Sequence, residues 1–211
     1  TGAGMIQLSS STAAQTISST NGIFQNLRLN NTFNTSGAAM ISLIGNTTVN
    51  GNLVLNQNNL FDISTYNLSL GASAAIAGSV GATRFIKTAG QSSDGGITKR
   101  YSASSLTFTF PFGTNATPDY TPATITLGGT NPTVFGTITV RPVFTESALT
   151  TATGVTLNYY WKTVSSGFTL HAATTVTHAY TYLDADIVAT ESEYVAGRYN
   201  PSTVAWTKGT T

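Results

Sequence analysis

The sequence predicts an all-β chain: N-terminal parallel β-solenoid-like repeats over residues 1–83, a junction at 84–97 and an antiparallel β-sandwich module over 98–211. Three observations carry this. A short leucine motif recurs in the first half, strict alternation of apolar and polar residues fills the second, and charge is scarce throughout. Charged residues make up 8% of the chain, against roughly a quarter in an ordinary soluble domain, while hydrophobic residues at 40% suffice to fill a core. Threonine, serine, asparagine and glycine supply the polarity. Threonine is β-branched and suits a half-buried pleated surface, and no segment has the Ala, Leu, Glu and Lys richness of a long helix.

The repeat is the reason to expect a solenoid. Asn26-Leu27-Arg28-Leu29-Asn30 returns as Asn52-Leu53-Val54-Leu55-Asn56 and again as Asn67-Leu68-Ser69-Leu70-Gly71. Each reads as a short strand with two leucines on one face, closed by Asn or Gly where the chain turns. A repeat that cannot bury its own leucines does so by stacking on the next rung. Asparagines at the corners can then form ladders and bond the backbone. The unequal spacings, 26 and 15 residues, keep a leucine-rich meander sheet open as the alternative.

Two compositional changes place the junction. Before residue 84 the only charged side chains are Arg28 and Asp62, and twelve of the sixteen asparagines lie before residue 68. The Gly/Ser/Ala-rich stretch from Gly78 to Gly96 reads as a loop or domain junction.

From about residue 98 the apolar residues of Leu106-Thr-Phe108-Thr-Phe110-Pro-Phe112 fall at every second position, so one face is core and the other solvent. Pro111, without a backbone donor, marks an edge or strand end. Further strands are expected over residues 123–127, 134–143, 155–164, 168–183 and 204–208. Turns at 113–115, 128–132, 165–167 and 200–202 separate them. Strands at such intervals point to a β-sandwich.

Function classes narrow on composition. The net charge is +1 and the basic residues are scattered, which leaves no stripe for nucleic acid. No apolar run approaches the length of a membrane span. Cysteine is absent, so there are no disulfides or thiolate metal sites. The opening Thr-Gly-Ala-Gly, without Met or signal peptide, suggests a mature or internal segment.

Several stretches resemble a known family. Ala14-Gln-Thr-Ile-Ser18 followed by Phe24-Gln-Asn-Leu-Arg-Leu-Asn30 resembles repeats of very large Bacteroidota-type cell-surface adhesins. The 106–113 segment, Leu157-Asn-Tyr-Tyr-Trp161 and the stretch from Tyr182 through Arg198-Tyr199 to Trp206 resemble the sandwich module that follows such repeats. The resemblance implies a secreted, extracellular, cell-surface protein exported by the type IX secretion route. It also implies neighbouring domains in a longer parent chain, and it supplies no catalytic residues. The C-terminal sorting domain of that family is not visible in the sequence.

Among chemistry-bearing clusters, Asp184-Ala-Asp186 followed by Glu191-Ser-Glu193 stands out. Asp184 and Asp186 share a face if their strand continues, and a following loop could return Glu191 and Glu193. Calcium, bound by six to eight oxygens, is the ion such a cluster would take. The competing reading is a solvated acidic turn, since the glycine and spacing of an EF-hand are missing. The same carboxylates make a poor glycosidase pair, because a small sandwich offers little cleft. His171 and His178, seven apart, face opposite sides of one continuous strand. No serine sits in a nucleophile elbow. Trp161 reads as a core plug between sheets, with a sugar-stacking platform as its alternative.

The expectation is therefore a non-catalytic structural or adhesive segment of a large secreted surface protein, not an enzyme. Its partners would be neighbouring domains and a surface polysaccharide or another surface protein. The alternative is a carbohydrate-binding module, calcium-assisted if the acidic cluster is filled. A third reading, ice binding by Thr-x-Thr runs such as Thr107/Thr109 and Thr124/Thr126, competes with ordinary solvent-facing threonines.

Overall fold

The computed structural model describes residues 4–18, 21–33, 39–57, 60–113, 119–149, 155–200 and 203–209. Positions 114–115 and 201–202 of the expected turns lie outside the described residues.

Four successive strand triplets wind through the first half. They are β1 (Met5–Leu8), β2 (Gln15–Ile17) and β3 (Gly22–Phe24); then β4 (Asn26–Leu29), β5 (Ala39–Leu43) and β6 (Thr47–Val49). Next come β7 (Asn52–Leu55), β8 (Leu60–Ser64) and β9 (Asn67–Leu70), and finally β10 (Ala75–Ala77), β11 (Ile86–Thr88) and β12 (Gly96–Arg100). Corresponding strands pair in parallel, which makes three faces: β1-β4-β7-β10, β2-β5-β8-β11 and β3-β6-β9-β12. The result is a three-sided β-solenoid, as the leucine repeats predict.

Its stability comes from inward columns. Leu27, Leu53 and Ile76 stand in register on the first face, and Leu29 sits beside Leu55. Ile41, Phe61 and Ile86 form a column on the second face. All six leucines of the motif are buried in one core. Their spacing now has a geometric cause. The step from Leu27 to Leu53 is one full turn on one face, whereas Leu68 and Leu70 lie two sides further round, on the third face. The third copy of the motif is thus not a further rung of the same ladder.

The corners carry the asparagine bonds. Asn26 Oδ1 accepts from the Asn52 backbone N–H at 2.8 Å, Asn46 Oδ1 from that of Asn67 at 2.9 Å, and Asn56 donates to Asn30 Oδ1. An amide side chain bonds its copy one coil away without the repulsion a stack of like charges would meet. That suits the first three coils, in which Arg28 and Asp62 are the only charged residues. The acid Asp62 is set in register with Lys87. Gly78 turns the chain out of β10 at φ +102°, where an added Cβ would collide with the Leu55 carbonyl.

Residues 84–97, expected as a junction, are structured differently. They hold β11 and the start of β12, both paired to the preceding coil. Gly and Ser are frequent there because solenoid corners need them as much as linkers do. Beyond β12 run β13 (Thr107–Phe110), β14 (Ala123–Gly129), β15 (Thr137–Val143), β16 (Tyr160–Ser166) and β17 (Thr174–Tyr180), all antiparallel. The strand expected over 168–183 is confined to β17, and a hairpin of β18 (Gly197–Asn200) and β19 (Ala205–Lys208) follows.

Solenoid and antiparallel sheets are joined twice. β15 pairs with the outer edge of β12, so the third face becomes one six-stranded sheet, β3-β6-β9-β12-β15-β16. The second face is extended by a bridge from Ile86 to Phe112, with the Ile86 N–H bonded to the Pro111 carbonyl at 2.8 Å. Against the six-stranded sheet packs β13-β14-β17, whose Phe108, Phe110 and Ile125 share a core with Ile97, Ile138 and Val140.

Candidate functional site

The acidic cluster does not continue a strand. Asp184–Asp186 and Glu191–Glu193 each form a single 3-10 turn. Adjacent residues i and i+2 on such a turn diverge, so the carboxylates are not presented on one face. Two of them are engaged by tyrosines: the Tyr159 hydroxyl donates to Asp186 Oδ2 at 2.7 Å, and that of Tyr182 to Glu191 Oε1 at 3.0 Å. Burial first, then the bond to Asp186, raises the Tyr159 pKa, so this phenol stays a donor. Tyr194 accepts from the Val188 N–H at 2.9 Å and its ring lies 5.8 Å from Tyr182. Among the described residues no three His, Asp or Glu side chains form a group that could hold a metal ion. The geometry is that of turns pinned by tyrosine hydroxyls.

His171 lies in a turn before β17, where Nδ1 accepts from the Ala173 N–H at 3.1 Å; His178 is on β17 and shares a 3.0 Å hydrogen bond with the Tyr180 hydroxyl. The two are not on one strand, as expected of them, and act locally. Trp161 is partly buried against the core, stacks on Tyr180 at 4.8 Å and donates from Nε1 to the Thr121 carbonyl. Its neighbour Tyr159 is buried beside it at 5.4 Å. Trp206, by contrast, is 45% exposed on β19, with Tyr199 5.4 Å away. The threonine runs pair across β13 and β14: Thr109 with Thr124 through a 2.8 Å hydroxyl contact, and Thr107 opposite Thr126.

Sequence reasoning missed Lys99. It is fully buried, one residue before the end of β12, and its ammonium donates to the carbonyls of Gly71, Ala72 and Ala74 at 2.6, 2.7 and 2.9 Å. The Phe108 ring lies 5.5 Å from Nζ. Burial pushes the amine down to about 8 from 10.5. The signal was present in the alternation Ile97-x-Lys99-x-Tyr101, which puts the lysine on the inward face.

The groove next to this lysine was also missed. β10 has β7 on one side and no strand on the other among the described residues, and β13 is likewise an edge. Between them runs a groove of about 280 Å³, lined by Ala74, Ala75, Ile76, Thr107, Phe108 and Thr109 together with Ser105.

No family model, curated protein or solved structure matches this chain. Among the described residues, no helix is long and apolar enough to cross a membrane.

Proposed function

We propose that this chain is a non-catalytic structural and adhesive segment of a large secreted cell-surface protein, exported by the type IX route. The observation that supports it is the six-stranded sheet, in which a parallel stack passes into an antiparallel module through β12 without a break in hydrogen bonding. A stalk that carries load from one element to the next needs such a ladder, and a neutral hydroxyl-rich surface suits an extracellular setting of changing pH. Beads coated with the chain and held under shear flow against polysaccharide-coated or protein-coated surfaces test it. Retention above that of uncoated beads is expected; beads that wash off every surface at the uncoated rate contradict the adhesive role.

Polysaccharide recognition is the second reading, favoured by the exposed Trp206 beside Tyr199. An aromatic face open to water can stack on a sugar ring. In the same assay, loss of retention on polysaccharide in Trp206→Ala would favour this reading.

A further inference from the structure

Of the three solenoid faces, two are continued into the antiparallel module. The third face gains β15 and β16, and the second gains the Ile86–Phe112 bridge. The first stops at β10, and across the groove stands the free edge of β13. An unpaired edge offers backbone donors and acceptors that a further strand can satisfy. The floor holds Phe108 and Ile76, both packed against the core, and Ile76 continues the Leu27–Leu53 column. Among the described residues, no charged side chain lines the groove. Behind the floor, Lys99 fastens the Gly71–Ala74 corner from which β10 starts, which holds the edge open.

We propose that this groove receives one extended strand from a partner polypeptide. The strand adds to β10 and completes the one face that stops short. Its chemistry follows from the lining: uncharged, with apolar residues at alternate positions, as in the Asn-Leu-x-Leu strands of the solenoid itself. β-Augmentation of this kind takes affinity from main-chain bonds and specificity from alternate side chains. The open end of a second copy does not fit. Its β1 would reach β10 only if its β2 and β3 occupied the places held by Phe112 and β15. A single strand meets no such obstacle.

The probe is a capped, fluorophore-labelled peptide with the sequence of residues 50–57, titrated with the whole chain and read by anisotropy. Saturable binding is expected, about tenfold or more tighter than for a peptide whose two leucines are each moved by one position. Ala75→Trp fills the groove from an exposed site and should weaken binding about tenfold with unchanged circular dichroism. Thr107→Trp, exposed on β13, does the same from the other wall and serves if the first variant fails to fold. Val134→Trp, an exposed position that does not line the groove, should leave binding intact. Equal binding of both peptides, or undiminished binding by the groove-filling variants, overturns the proposal. So does a peptide-free dimer abolished by Ala75→Trp, which would give the groove to a second copy.

Discussion

Lys99 stands in a column that is otherwise apolar, in register after Val49 and Leu70. A buried ammonium without a carboxylate is costly, and three carbonyl acceptors offset only part of that cost. Because its pKa falls from 10.5 to about 8 on folding, the unfolded chain binds the proton more firmly between those values. Stability should therefore rise as pH climbs from about 8 toward 10. Above pH 10 the buried Tyr101, whose pKa is raised by burial, works in the opposite sense. Melting temperatures at pH 7, 8.5 and 9.5 should increase in the native chain and stay level in Lys99→Met. A rise of equal size in the variant would show that another group is responsible. The inward placement of Lys99 was legible from alternation alone. Its acceptors were not, because they lie 25 to 28 residues earlier and meet it only once the coil has closed. The acidic residues failed for a related reason: Asp184 and Asp186 have the spacing of a strand face, yet the local backbone forms a 3-10 turn.

At the level of elements, each coil depends on its neighbours for the burial of its inward residues. Leu53 and Leu55 of β7 are buried between the β4 and β10 strands. Truncating either to alanine should cost about 2 to 5 kcal/mol, since a rigid stack cannot close over the cavity. Urea denaturation of Leu53→Ala should show a lower midpoint, and an unchanged midpoint would mean that β7 is not packed as described. The leucine motif made the solenoid legible because Leu-x-Leu between asparagines fixes both the inward face and the corner. The number of sides was not legible. Three strands per coil include β2 and β3, whose sequences Gln15–Ile17 and Gly22–Phe24 lack the Leu-x-Leu motif. Their placement comes from pairing with β5 and β6.

For the whole molecule, the decisive strand is β12, parallel to β9 on one side and antiparallel to β15 on the other. One cluster of buried residues runs from Ile17 in the solenoid to Ile138 and Val140 in the antiparallel sheet. Unfolding should accordingly be a single transition by calorimetry and by tryptophan fluorescence, since both Trp161 and Trp206 lie in the second half while the leucine core lies in the first. Limited proteolysis should spare residues 84–100, since β12 is an interior strand of its sheet and β11, the last of its own, is covered by the Ile86–Phe112 bridge. Early cleavage there, or two separate melting steps, would mean two independent units. The change in charge and asparagine use near residue 84 is real, but it marks where stacking of like residues ends. A change in packing neighbours alters composition without dividing the core, and composition alone cannot tell the two apart.

The two directions of pairing on β12 have a consequence for length. A parallel stack has translational symmetry, so nothing within a coil specifies how many coils follow. An antiparallel neighbour breaks that symmetry, because β15 runs the opposite way and presents no equivalent surface to a fifth coil. β12 therefore acts as punctuation: it closes the series on the third face, as the Phe112 bridge to β11 does on the second, and gives a repetitive object a defined end. Variants that shorten or lengthen the stack by a whole coil can keep the same terminus, provided the coil that contains β12 remains last.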